Sequence, residues 1–365
     1  MVARPRLSPA IADVRRAVRA PLFSGVSATG GAGEAADATS ATPVTQTPEN
    51  GIVLVALSGG GDSLALAAAV AFEAPRAGWR AGAIVVDHGL QGDSARVAER
   101  AAAQARGLGL DPVRVVRVQV DAADPAGPEA AARTARYAAL DAAADELGAD
   151  LILLGHTLDD QAETVLLGLA RGSGAASLQG MPAQAGRYRR PLLGIPRQTT
   201  RQACIDAGLD VWDDPHNADA RYTRVRVRER VMPVLESELG PGIAEALART
   251  AEQLREDAAA LDAFAEEVVE DVVELEEAGV SLSVAALAAN PAALRQRLIR
   301  LVAQSEFHQA LSRTHTLEIA RLVTDWRGQG PIDLPGFSAE RRGGRIHLIS
   351  TAAGELTGQK PPHDH

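Results

Sequence analysis

The chain has one cysteine, Cys204, one lysine, Lys360, and only 3% aromatic residues among its 365. A single thiol excludes an intramolecular disulfide framework, a four-cysteine zinc site and a two-thiol sulfur relay within this chain. Cys204 itself reads as a small buried apolar residue. No apolar run reaches the ~18 residues of a membrane span, and the Arg-containing N-terminus is not followed by the apolar core of a secretory signal. A soluble, cytoplasmic protein with no membrane partner is therefore expected. What is present is ordinary for a globular chain: 46% hydrophobic and 23% charged residues, with length for two or three domains.

The net charge of −10 argues at first against a nucleic-acid partner. Its distribution changes that inference. Residues 251–280 hold eleven acids and one base, Arg255, so the remainder is close to neutral. Between Arg187 and Arg230, ten arginines face six acids, a strip suited to phosphate or equally to a solvated helix face.

Residues 9–20 have helical periodicity (Ile11, Val14, Val18), giving an N-terminal segment 1–23. Residues 24–50, rich in Gly, Ala, Ser, Thr and Pro, read as a flexible linker. Strand runs at 51–57, 83–86, 113–120 and 151–154 alternate with helical patterns at 63–74, 94–106, 129–147 and 160–170. This specifies an α/β fold, a doubly wound parallel sheet over 51–235. Three polar loops, 58–62, 87–92 and 155–159, then meet at the carboxyl ends of the strands, where such sheets bind ligands. Beyond residue 240 the stripe Leu247, Leu254, Leu261, Val268, Val272, Leu275 predicts a helical second domain, taken as 236–350. A small C-terminal hairpin is expected from 332–334 and 345–349 around Gly343-Gly344, and 351–365 reads as a loose tail.

Ser58-Gly59-Gly60-Gly61-Asp62-Ser63 follows the first strand. Three glycines let the backbone approach an anion, with loop amides and the serine hydroxyls as donors. No Gly-Lys-Ser/Thr follows, so it is not the Walker arrangement. Asp62 would repel phosphate unless a divalent cation lay between them, which implies Mg²⁺ wherever the loop holds a polyphosphate.

This loop resembles that of the ATP pyrophosphatase superfamily, whose members cleave ATP between the α- and β-phosphates. Val86-Asp87-His88-Gly89-Leu90, Gly155-His156-Thr157-Leu158-Asp159-Asp160-Gln161-Ala162-Glu163-Thr164, Arg171-Gly172-Ser173-Gly174, Glu129 with Arg133, Arg136 and Tyr137, Asp214-Pro215-His216-Asn217, and Arg224, Arg226 and Arg228 narrow the likeness. Together they are similar to the tRNA(Ile)-lysidine synthase family. Thr157 stands where the family carries a second histidine, Val225 where it carries asparagine and Gln91 where arginine is common.

The resemblance implies an adenine nucleotide alpha-hydrolase-like fold and a ligase. ATP and Mg²⁺ would be its cofactors, with free L-lysine and a CAU-anticodon isoleucine tRNA as partners; a homodimer is left open. It places ATP at Ser58, Gly59, Gly60, Gly61, Asp62, Ser63, Asp87, His88 and Gly155, and the metal at Asp62 and Asp160. Catalysis falls to Asp160, His156, Glu163 and Asp62, with Asp160 the first choice of base. Phosphate or tRNA contacts fall to Arg133, Arg136, Arg171, Arg224 and Arg228. The residues themselves leave other functions open: Asp159 as a helix cap, Asp160 and Glu163 as dipole partners, and Arg224 and Arg228 as salt-bridged helix residues. The rival readings are another ATP-dependent tRNA-modifying or amide-forming enzyme of the superfamily, and a nucleotide sensor without catalysis.

Overall fold

The computed structural model describes residues 8–23, 51–89, 93–118, 127–172, 174–212 and 219–351. The expected linker at 24–50, the Asp214–Asn217 motif, Leu90, Gln91, Ser173 and almost all of the 351–365 tail lie outside them. The chain divides into two compact units, Met1–Glu252 and Gln253–His365.

The first unit opens with α1 (Pro9–Phe23), followed by β1 (Ile52–Leu57), α2 (Gly61–Glu73), β2 (Arg80–Asp87), α3 (Ser94–Gly107), β3 (Val113–Arg117), α4 (Pro128–Leu147), β4 (Ala149–Leu154) and α5 (Leu158–Ala170). Then come a short α6 (Ala175–Leu178), the two-residue strands β5 (Gln184–Ala185) and β6 (Tyr188–Arg189), α7 (Arg197–Asp206), α8 (Thr223–Arg226) and α9 (Met232–Leu239). The sheet order is β3-β2-β1-β4-β6-β5, parallel except for the β5–β6 pair. The chain steps outward from β1 to β2 and β3, then returns to β4 on the other side of β1. The loops after β1 and β4 therefore flank the point where the winding reverses.

Alternation along β1 sends Val53, Val55 and Leu57 into one core and Leu54 and Ala56 into the other. On the first face the alanines of α2 and α3, among them Ala65, Ala69, Ala98, Ala101 and Ala105, bring these helices close to the strands. The opposite face is closed by Leu140, Ala143 and Ala144 of α4. α1 buries Val14, Val18 and Leu22 in the first core, and Arg19 reaches the buried Glu73 at the end of α2 (Nε to Oε2, 2.9 Å).

A long helix, α10 (Ile243–Val272), begins in the first unit and continues into the second. The second unit adds β7 (Val273–Glu276), β8 (Gly279–Ser283), α11 (Val284–Ala289), α12 (Ala292–Phe307), α13 (Arg313–Thr324), β9 (Ile332–Leu334), β10 (Phe337–Arg342) and β11 (Arg345–Ser350). Its strands form an antiparallel sheet in the order β7-β8-β11-β10-β9.

The expected hairpin turn at Gly343-Gly344 is present, but it joins β11 to β10 within five strands. The helical stripe also ends one residue before Val273, and Leu275, placed on it by periodicity, lies on a strand with 81% of its surface exposed. Gly279 opens the next strand, β8. A Cβ there would lie 2.1 Å from the carbonyl oxygen of Leu348, so β8 approaches β11 as only glycine permits. The core of this unit centres on Phe337, stacked on Phe307 at 4.5 Å, with Leu282, Ile346 and Leu348 inward from the sheet.

Candidate active site

The loop after β1 is shaped by its own side chains. Ser63 Oγ accepts from the Ser58 amide (3.2 Å), donates to the Gly60 carbonyl (2.9 Å) and lies 3.1 Å from Ser58 Oγ. Gly59 has φ +86°, a left-handed conformation that favours glycine. The loop after β4 presses on this turn: a Cβ at Gly155 would sit 3.1 Å from the Ser63 amide nitrogen. The free amides at the start of α2 and the loop backbone thus form a cradle for an anion.

Asp62, in the first turn of α2, faces α7. Its Oδ1 accepts from the Thr200 hydroxyl and its Oδ2 lies 3.5 Å from Arg197 Nε. Burial pushes the Asp62 carboxyl above its ordinary value; Thr200 and Arg197 oppose this and the nearby Asp160 carboxylate adds to it. Arg197 spans a whole carboxylate cluster. Its Nη2 donates to Asp160 Oδ1 (2.7 Å), its Nη1 to Glu163 Oε1 (3.3 Å), and its amide to Asp159 Oδ2 (2.7 Å). Glu163, buried at 2% exposure of its side chain, also receives Arg228 through Nε (2.8 Å) and Nη2 (3.1 Å), with Arg224 Nε 3.3 Å away. Arg224 Nη2 donates to Thr164 Oγ1 at 2.6 Å.

α5 starts on a reciprocal cap. Thr157 Oγ1 accepts from the Asp160 amide, and Asp160 Oδ2 accepts from the Thr157 amide (2.9 Å) and hydroxyl (3.0 Å). Asp159, read from the sequence as a candidate cap, instead anchors the start of α7. Burial pushes the Asp160 carboxyl upward, but Arg197, the Thr157 amide, His156 and Arg228 together hold it below its usual range. Burial lowers the His156 imidazole to about 4, with Asp160 opposing and Arg136, Arg190 and Arg133 adding to it. His156 is therefore neutral near pH 7, and its buried Nδ1 has no hydrogen-bond partner among the described residues.

Two cavities meet along this rim. The larger, about 730 Å³, is lined by Ser58 and residues 60–63 of the turn, with Gly155, His156, Asp160, Arg197, Arg224 and Arg228. The smaller, about 160 Å³, lies between the ends of β1 and β2 and α3, with Ile84, Val86, Val97 and Ala98 as apolar walls and Asp87 and His88 at its edge. Arg136 and Trp212 line both. Asp87 is buried and accepts from the Gly89 amide (2.9 Å), which ties down the second loop.

Of the residues picked out in the sequence, the structure gathers Ser58, Gly60, Gly61, Asp62 and Ser63 of the first loop, Asp87, His88, Gly155, His156, Asp160, Arg136, Arg224 and Arg228 around these cavities, with Glu163 behind them; Gly59 shapes the turn but lines neither cavity. Arg133 and Arg171 are exposed and line neither cavity; Arg133 lies over the Tyr137 ring at 4.9 Å. Much of the arginine strip is occupied internally: Arg187 pairs with Asp145 (2.6 Å), Arg190 donates to the Pro182 carbonyl (2.9 Å), and Arg226 turns to the Ala220 and Arg221 carbonyls. Sequence reasoning missed Arg197, Thr200 and Trp212. The one available signal was Pro196 directly before Arg197, which marks the start of a helix.

A model of the PP-loop domain matches residues 35–235, and one described as the TilS substrate binding domain matches residues 282–347. Among curated relatives, the tRNA(Ile)-lysidine synthase of Leifsonia xyli subsp. xyli is 64% identical over 81% of this chain and 89% of its own length. That of Streptomyces coelicolor is 55% identical over 82% and 85%, and that of Salinispora tropica 48% identical over 95% and 98%. Among solved structures, the U34-tRNA thiolase NcsA from Methanococcus maripaludis, with its [4Fe-4S] cluster, aligns with a TM-score of 0.51 at 20% identity. That alignment covers 68% of this chain and 80% of the thiolase, a likeness of fold alone. A glycine cradle, an acidic and arginine-rich cleft and relatives matched along nearly their whole length converge on one assignment: the chain belongs to the tRNA(Ile)-lysidine synthase family.

Proposed function

We propose that this chain joins free lysine to C2 of the wobble cytidine in a CAU-anticodon isoleucine tRNA, through an adenylated cytidine, with diphosphate and AMP as by-products. The observation that carries the reading is the junction of an anion cradle with a charged cleft of about 730 Å³, more room than the nucleotide's phosphates need. The apolar pocket beside it suits the adenosine, with Trp212 and Val97 as walls.

The donors fit Mg²⁺ shared with the nucleotide: Asp62 and Asp160 line the same cleft, and this ion is commonly held by one or two carboxylates together with substrate phosphates. Bound there, it would supply neutralisation of phosphate charge. The chain's own groups do the rest. Loop amides and Arg136 orient the triphosphate so that cytidine O2 attacks the α-phosphorus and the α–β anhydride bond breaks. The lysine ε-amine then attacks C2, the C2–O2 bond breaks, and AMP leaves carrying O2.

That amine has a reference pKa near 10.4, so holding it neutral at pH 7 costs about 4–5 kcal/mol. Asp160, kept ionised by Arg197 and the Thr157 donors, attracts the ammonium, while neutral His156 offers its unpartnered Nδ1 to the released proton. Glu163 holds Arg224 and Arg228 in place for phosphate. Exposed Arg133 and Arg171, together with the second unit, take the tRNA backbone and the features remote from the anticodon that separate it from methionine tRNA. The target base is splayed from its stacked loop to expose C2. The reaction belongs to the cytoplasm.

Incubation with ATP, Mg²⁺, labelled lysine and the isoleucine tRNA transcript, followed by nucleoside analysis, should place label in a modified cytidine. Pyrophosphate release without lysine incorporation would overturn the reading.

A further inference from the structure

Arg197 lies at the centre of the carboxylate cluster, although its spacing from the acidic residues does not mark it in the sequence. Four carboxylates, Asp62, Asp159, Asp160 and Glu163, meet three guanidinium groups, Arg197, Arg224 and Arg228. The cluster is thus left with one net negative charge, and without Arg197 it would carry two. Arg197 is also fixed in place. It is the first residue of α7, its amide is held by Asp159 at 2.7 Å, and its side chain is only 18% exposed. Its three contacts are unequal: 2.7 Å to Asp160, 3.3 Å to Glu163 and 3.5 Å to Asp62. Among the described residues, no group of three or more His, Cys, Asp and Glu side chains is arranged to hold a metal ion.

We infer that Arg197 is a positioning residue that keeps this cluster closed to a bare divalent cation, so that the metal enters only together with the nucleotide. The inference rests on the ATP reading above. A unit positive charge within a few ångströms of both Asp62 and Asp160 repels an incoming dication, and the triphosphate's negative charge is what reverses the balance. The longest contact, to Asp62, is the one that yields when the loaded nucleotide arrives. Asp160 and Glu163 stay fixed by the two shorter arms.

The test is Mn²⁺ binding to the full chain, followed by electron paramagnetic resonance with and without a non-hydrolysable ATP analogue. The wild type should bind Mn²⁺ weakly alone and strongly with the analogue. Arg197→Gln should bind nucleotide-free Mn²⁺ about tenfold tighter or more, whereas Arg197→Lys, which keeps the charge, should stay within about threefold of the wild type. Its lysidine-forming kcat should nevertheless fall, because an ammonium does not span three carboxylates at once. Equal nucleotide-free affinity in wild type and Arg197→Gln overturns the inference, as does a gain by Arg197→Lys matching that of the glutamine variant. If Arg197→Gln does not fold, tight nucleotide-free binding to the wild type alone is sufficient to overturn it. Failure of the analogue to recruit Mn²⁺ to any of the three proteins would instead count against the ATP reading.

Discussion

The two units bury different things. Among the described residues, the first encloses Glu73, Asp87, Glu163 and Arg190 along with Thr157, Gln161 and Thr200, whereas the fully buried polar side chains of the second are Ser281 and Thr316. Burying charge is expensive unless each group is paired, so a unit that does it repeatedly holds an arrangement in which every partner matters. The second unit is a shape held by apolar packing, with Phe337, Leu282, Ile346 and Leu348 at its centre. Buried charge is therefore concentrated in the first unit, and apolar packing holds the second.

The largest break in this contrast is Glu163→Gln. Three arginines lose a shared, buried counter-ion, and urea unfolding of the first unit should show a loss of about 4 kcal/mol. Ser281→Ala or Thr316→Ala in the other unit should cost about 1 kcal/mol each. The second unit should instead break on sterics. Gly279→Ala drives a methyl group against the Leu348 carbonyl and should cost about 3 kcal/mol by thermal unfolding.

A pH series sharpens the comparison further. His156 titrates near 4 in the folded chain and near 6.5 when unfolded, so its contribution is full above pH 6.5 and is lost as the pH falls toward 4, where the unfolded state binds the extra proton. Measured as urea midpoints across that window, His156→Asn should remove about 3 kcal/mol of this pH dependence. A variant with the wild-type slope would show that the imidazole is not held neutral. The smallest effect belongs to Ser283→Ala, which deletes the side-chain cap on the Ala286 amide and should cost about 0.5 kcal/mol with activity unchanged.

The first unit was legible where the signal is local. β-branched runs end at glycine or polar turns, so β1 to β4 fall within a few residues of their expected positions. The second unit was less so. β10, Phe-Ser-Ala-Glu-Arg-Arg, turns only Phe337 and Ala339 fully inward, and such a half-polar strand does not stand out from a loop. β7 was hidden because Val272 and Leu275 continue the helical period past Val272, where the helix ends. In the site, Asp62, His156, Asp160 and Glu163 were legible because they stand in compact motifs. Arg197 was not: it lies 37 residues from Asp160, and its partners depend on how α7 packs against α2 and α5.

What the sequence by itself determined is whatever depends on a few consecutive residues: the glycine turn after β1, the alternation that sends β1 into two cores, and a reciprocal cap made possible by Thr157 and Asp160. These follow from backbone conformation and side-chain period, which neighbours along the chain control. Only the tertiary structure decided which arginine meets which carboxylate. Ion pairing is set by distance and burial rather than by order along the chain, and of the ten arginines from Arg187 to Arg230 only the fold brings Arg197, Arg224 and Arg228 to Glu163.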